Sequence, residues 1–269
     1  MKVGYYQYRP VFGKINQNLK KVINKLASVD ADLIVLPELA FTGYYFRDRT
    51  EVKTLADDPG KSATVDSLKE LCKEKKFHIV TGYAEKVKGK VFNSALLIGP
   101  GGIRHIYRKI HLFNEEINWF DKGDIPFQVN KVDNARIGIM VCFDWVFPEV
   151  TRILALQGAD IICHPSNLVL DYCQHTMLTR CLENKVYAIT TNRFGYDKRP
   201  HGNLRFTGRS QIVAPGGTLI HQARSQGEEL YIMDIDPELA RDKSIYQLND
   251  VLNDRRPKFY KSLVSGKGK

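Results

Sequence analysis

The sequence predicts an α/β fold in which two parallel-rich sheets pack face to face and carry helices on their outer faces. Three observations predict it. Apolar strands alternate with amphipathic helices, the two halves of the chain resemble each other, and no linker rich in Pro, Gly or Ser divides them. Alternation implies parallel pairing, and strands this apolar need cover on both faces.

The alternation reads directly from the chain. "KINQNLKKVINKLAS" sets Ile15, Leu19, Val22, Ile23 and Leu26 at helical spacing, and "DLIVLPE" follows as an apolar, β-branched strand. The unit recurs as the strand "ARIGIMVCF", a helix in "FPEVTRILALQG" with Pro148 in its first turn, and the strand "ADIICHPS". Two hairpins are expected in "KVFNSALLIGPGGIRHIYRKI" and "GRSQIVAPGGTLIHQA", each turning on Pro-Gly-Gly.

The halves align in the same order. "KVGYYQ" from Lys2 matches "RIGIMV" from Arg136, "ADLIVLPE" from Ala31 matches "ADIICHPS" from Ala159, and the Pro-Gly-Gly turns match each other. The offset drifts from about 134 through 128 to 115 residues, as in an old duplication with shrinking loops. One domain over residues 1–262 is expected, with a basic, flexible tail at 263–269.

Composition narrows the function. At 269 residues and 43% hydrophobic, the chain can bury a full core. No apolar run is long enough for a membrane span, and "MKVGYYQY" lacks the apolar block of a signal peptide, so a cytoplasmic, membrane-free protein is expected. The odd set Cys72, Cys142, Cys163, Cys173 and Cys181 has no C-x-x-C pair and suits reduced thiols. A net charge of +10 invites a nucleic-acid reading, but the basic residues are spread over helix faces, apart from the acid-free end from Arg255. That spread speaks against a nucleic-acid partner.

Open α/β sheets bind ligands at the carboxyl ends of their strands. Glu38 ends "DLIVLPE" and Cys142 ends "ARIGIMVC". A carboxylate there is partly desolvated, as a general base needs to be, and a thiol needs its proton removed before it attacks. Charge developing on a carbonyl oxygen or nitrile nitrogen needs a cation or N–H donors. Lys109, in the apolar "IYRKIHLF", and the Phe143 N–H can serve, while Glu116 of "NEEINWFDKGD" can orient the lysine. Taken singly, each has a plainer reading: Cys142 as core filler, Glu38 as a helix-start acid, Lys109 and Glu116 as surface charges.

The set "LPEL", "YRKIHLF", "EINWFDKGD" and "CFDWVFPE", in that order, resembles the nitrilase, or carbon–nitrogen hydrolase, superfamily, and the likeness spans the chain from "KVGYYQ" to "NDRRPKFY". The resemblance implies a four-layer αββα sandwich of two mixed sheets with a pseudo-two-fold repeat, no metal or organic cofactor, and homodimers or higher homo-oligomers. It also implies roles: Cys142 attacks, Glu38 shuttles the proton, Lys109 and the Phe143 N–H stabilise the tetrahedral intermediate, and Glu116 supports the lysine. Glu115 competes for that last place; the spacing of Glu116 to Phe120, Gly123 and Asp124 favours Glu116.

Many family members that take carboxylate substrates carry an arginine shortly after the cysteine, where this chain has Asp144, Trp145 and Val146. Without that clamp the expected partners are water and a small neutral or cationic amide. Tyr44, Trp119, Trp145 and Asn167 are candidates for the pocket wall, or equally for core packing. A nitrilase, a carbamoyl-compound hydrolase and a non-catalytic binding protein with a basic tail remain open beside an amidase. Cys163, His164, Cys173, His175 and Cys181 form a loose metal-type set whose spacing argues against a site, and nothing singles out a histidine partner for Cys142.

Overall fold

A computed structural model describes residues 1–265 of the 269. The first half forms β1 (Lys2–Gln7), α1 (Ile15–Leu26), β2 (Leu33–Val35), α2 (Arg49–Leu55), α3 (Ala63–Lys75), β3 (His78–Val87), β4 (Lys90–Gly99), β5 (Gly102–Arg108) and the short α4 (Glu116–Trp119). The second forms β6 (Val129–Val132), β7 (Ala135–Ile139), α5 (Pro148–Leu156), β8 (Ile161–Pro165), α6 (Tyr172–Asn184) and β9 (Tyr187–Thr191). It continues through β10 (Phe194–Arg199), β11 (Gly202–Thr207), β12 (Gln211–Val213), β13 (Leu219–Gln222), β14 (Glu229–Asp234), β15 (Ser244–Tyr246) and β16 (Asn249–Asp250).

The duplication is visible in the strand order. One sheet runs β14-β1-β2-β3-β4-β5 and the other runs β6-β7-β8-β9-β12-β13 when read from its antiparallel edge. In each, three parallel strands lie at the centre and a Pro-Gly-Gly hairpin closes one end. The hairpin of β10 and β11 stands outside both sheets and has no counterpart in the first half.

Side-chain alternation builds the layers. Val3, Tyr5, Leu33, Val35 and Val80 share one core with Ile137, Ile139, Ile161 and Ile189 of the second sheet. The intervening Tyr6, Ile34, Leu36 and Ile79 form another core with Val22 and Leu26 of α1 and Leu68 of α3. Helices α5 and α6 pack against β7, β9 and β12. The result is helices, sheet, sheet, helices. Full burial of each such Val, Leu or Ile contributes roughly 1.5–3 kcal/mol, so the cores hold the sheets firmly enough to fix the loops at their ends.

Both expected hairpins form, as β4–β5 and β12–β13. No helix among the described residues is long and apolar enough to cross a membrane. Of the tail expected at 263–269, Leu263 and Val264 are exposed, and residues 266–269 lie outside the described residues.

Candidate active site

Glu38, Lys109, Cys142 and Asn167 each lie just past the end of a strand, respectively β2, β5, β7 and β8. Strands β2 and β3 are parallel, and two antiparallel steps bring β5 back to the same direction. Glu38 and Lys109 therefore lie at one edge of the first sheet, and a hydrogen bond from Asn167 to the Glu38 carbonyl brings that edge against the second.

Glu38 is fully buried. Its Oε1 accepts hydrogen bonds from Lys109 Nζ and Asn93 Nδ2, both at 2.7 Å, while Oε2 has no protein partner. Strand β3 presses against the turn that carries it. A Cβ on Gly82 would lie 2.3 Å from Glu38 Cα, so only glycine permits this approach. The contact is made by backbone bonds, Gly82 N–H to Pro37 O at 3.1 Å and Ala40 N–H to Gly82 O at 3.2 Å.

Lys109 Nζ also donates to Glu116 Oε1 at 2.8 Å, and both side chains are fully buried. Tyr44 Oη donates to the same Glu116 oxygen at 2.6 Å, and Glu116 Oε2 accepts from the Phe113 N–H at 3.2 Å. Glu115, by contrast, is exposed. The backbone of Lys109 is held by its N–H to Asn93 O at 2.8 Å and by the Gly123 N–H to its own carbonyl at 2.9 Å.

Cys142 opens a 3₁₀ turn with φ at +43°, a left-handed conformation that costs a non-glycine residue on the order of 1–2 kcal/mol. Buried polar groups hold it there. His164 Nε2 lies 2.9 Å from the Cys142 carbonyl and Nδ1 lies 3.1 Å from Thr190 Oγ1, which assigns a neutral ring donating from Nε2. Asp144 accepts from the Val141 N–H at 2.8 Å and from Tyr107 Oη at 2.7 Å, and meets His111 Nδ1 at 2.7 Å. Asp144 is thus spent on the turn itself.

The electrostatics define a resting state. Burial pushes the Cys142 thiol well up, and Glu38 adds to it; Lys109 and the Asn167 N–H oppose this, favouring the thiolate. Burial pulls Lys109 down, but Glu116 and Glu38 outweigh it and leave the ammonium held above its ordinary range. Burial raises Glu116 against the opposing pull of Lys109. The balance favours a protonated sulfur beside a charged lysine.

Phe113, Cys142, Phe143, Trp145, Asn167 and Leu168 to Leu170 line a small recess of about 20 Å³. Trp145 and Asn167 are thus at its wall. Asn167 Nδ2 donates to the Glu38 carbonyl at 2.8 Å, tying the two halves of the site together. Tyr44 stands behind Glu116, and Trp119 packs edge-on against Tyr44 and Phe46; neither lines the recess. A larger cavity of about 590 Å³ beside Lys14, Thr42 and Tyr83 is lined by none of Glu38, Lys109, Glu116 and Cys142. Cys142 opens on the smaller one. Among the described residues no group of three or more His, Cys, Asp and Glu is arranged to hold a metal ion.

Sequence reading missed Asn93 and Tyr107, and named His164 and Asp144 without their roles at the cysteine turn. Their roles are bonds to residues distant in the chain, and no local pattern marks them. Glycine 82 had a signal, a glycine inside a strand of β-branched and aromatic residues.

A family model described as carbon-nitrogen hydrolase matches residues 2–243. The chain is 40% identical over 263 residues to a protein of Pyrococcus abyssi named nitrilase, covering 97% of this chain and 99% of that protein. It is 30% identical over 261 residues to a Pseudomonas protein named (R)-stereoselective amidase, covering 95% and 92%. The crystal structure of a carbon-nitrogen hydrolase from Helicobacter pylori superposes with a TM-score of 0.88 at 25% identity, covering 99% of this chain and 98% of that one.

Proposed function

Since this chain belongs to the carbon–nitrogen hydrolase family of the nitrilase superfamily, we propose that it hydrolyses a small neutral or cationic amide through a thioester on Cys142. Glu38 takes the thiol proton as sulfur attacks the carbonyl carbon. Lys109 and the Phe143 N–H stabilise the charge that develops on the oxygen. Glu38 passes its proton to the nitrogen, the carbon–nitrogen bond breaks, and ammonia leaves. Water then gives a proton to Glu38 and attacks the thioester. Collapse releases the carboxylic acid, and the sulfur regains its proton.

The observation that carries this reading is the Lys109 ammonium, sealed between Glu38 and Glu116 and acting electrostatically on Cys142. Burying a charge triad is costly, and such an arrangement at a strained cysteine serves chemistry better than it serves stability. Glu116 and Tyr44 position the lysine. Trp145, Phe143 and Asn167 shape the acyl pocket, and among the described residues no Lys or Arg lines it, which suits a substrate without a carboxylate.

The homo-oligomer implied by the family resemblance remains part of the proposal. Exposed Ile153 and Leu156 on α5 and Leu182 on α6 offer a second copy an apolar face, and sedimentation measures the mass. Ammonia release from a panel of aliphatic amides, carbamoyl compounds and nitriles tests the reaction. Turnover of amides above the others is expected. Turnover of nitriles alone would move the chain to the activity for which its Pyrococcus abyssi relative is named, and ammonia from none would reject the proposal.

A further inference from the structure

The hairpin of β10 and β11, together with the residue that leads into it, carries an ion pair that the reaction does not use. Arg193 is 0% exposed and Asp197 4%. Arg193 Nη1 donates to Asp197 Oδ2 at 2.9 Å and Nη2 to Oδ1 at 2.8 Å. The guanidinium lies 4.1 Å from the ring centroid of Phe206, and Nη2 also donates to Pro10 O at 3.3 Å. Replacing such a buried pair by apolar side chains is often neutral or stabilising, so stability alone does not account for it.

What Asp197 reaches does. Its Oδ2 accepts from the backbone N–H groups of Tyr44 and Tyr45, each at 3.3 Å. Tyr44 is the residue whose hydroxyl donates to Glu116 at 2.6 Å, and Glu116 holds Lys109 at 2.8 Å. Phe206 of β11 packs edge-on against the Tyr44 ring, with centroids 5.9 Å apart, so one hairpin grips Tyr44 by both backbone and ring.

We propose that Asp197, fixed by Arg193, is a positioning residue for the reaction: it holds the turn at Tyr44 so that Tyr44 and Glu116 keep the Lys109 ammonium aimed at the reacting centre. The inference rests on the reading of Lys109 as the group that stabilises the oxyanion. That charge exists only in the transition state, so loosening the grip lowers kcat and leaves KM nearly untouched.

The test replaces the pair together, so that neither charge is left buried alone. R193M/D197L removes the acceptor facing the two tyrosine amides; R193M/D197N keeps an oxygen there. On the best amide of the panel, the leucine variant is expected to lose about ten-fold in kcat with KM within about three-fold, and the asparagine variant to recover most of that loss. Tyr44→Phe is expected to cost about ten-fold alone but less than about two-fold when added to the leucine variant, because both act through one contact. Additive losses, or a loss confined to KM, would overturn the proposal.

A second readout needs no turnover. The rate of Cys142 alkylation by iodoacetamide against pH reports where the lysine sits. It is expected to shift to higher pH in the leucine variant and back again in the asparagine variant. A profile unmoved in folded protein overturns the positioning role. Wild-type protein that hydrolyses no amide would reject the functional reading alone, and the alkylation profile would still decide this one.

Discussion

Glu38 and Lys109 meet through a single carboxylate oxygen, Oε1 at 2.7 Å from Nζ, and the other oxygen of Glu38 is buried with no protein partner. Unpaired buried acceptors are rare and call for an explanation. Here the division fits two duties. In the proposed reaction one oxygen anchors the lysine, and the other is the one that would receive a proton from sulfur or water.

Glu38→Gln separates those duties, because the amide keeps an oxygen for Lys109 and loses the base. Steady-state kinetics should show kcat falling about 10²- to 10⁴-fold, the range of general acid–base catalysis, with far-ultraviolet dichroism unchanged. A kcat within three-fold of wild type would show that Glu38 is no proton carrier.

Lys109→Arg should fail as well. A planar guanidinium does not match the place of a compact ammonium held between two fully buried carboxylates. We expect a loss in kcat of at least about 10²-fold, as for other oxyanion donors. Near-normal turnover would make the lysine a structural counter-ion only.

The thiols should differ in reactivity. Cys72, Cys163, Cys173 and Cys181 are fully buried, and burial raises all four. Cys142 is raised too, with Lys109 opposing the rise as Arg180 does at Cys173, but of these thiols Cys142 is the one that opens on the recess. Mass-spectrometric peptide mapping after iodoacetamide should find Cys142 labelled first, faster with rising pH and more slowly in Lys109→Gln. Equal labelling of all five thiols would contradict an activated cysteine.

His164 makes stability depend on acid. Burial lowers it from 6.5 to about 4, so the unfolded chain binds the proton more readily than the folded one. Its contribution, roughly 3 kcal/mol for a gap of this size, is fully present above pH 6.5 and is lost as pH falls from 6.5 to 4. Urea midpoints measured across that window should fall in wild type, and His164→Gln should flatten the dependence. Parallel curves for the two proteins would remove His164 from the account.

Gly82→Ala probes the backbone approach that sets Glu38. With a Cβ 2.3 Å from Glu38 Cα, either strand β3 or the turn must move, at about 1–3 kcal/mol for overpacking of this kind. Activity should fall with stability, and an unaltered Tm and kcat would show that the contact relaxes freely.

Much of this was legible in the chain. The ends of "DLIVLPE" and "ARIGIMVC" do place Glu38 and Cys142 at one edge, and the matched halves do become sheets of the same strand order. Those features are local or repeat along the sequence, so periodicity reveals them. Asn93 and His164 were not legible, because their meaning lies in bonds to Glu38 and Cys142 that span 55 and 22 residues. Trp119 looked like a pocket wall for the same reason in reverse: an aromatic beside a functional motif carries no sign of which side it faces. The β10–β11 hairpin, absent from the first half, escaped a reading built on duplication.

Intact-protein mass spectrometry of acid-quenched enzyme during turnover tests the central claim most directly. The account predicts a mass increase equal to the acyl group of the amide, located on the Cys142 peptide and absent in Cys142→Ala. Sustained hydrolysis by Cys142→Ala, or an acyl group found on another residue, would contradict it.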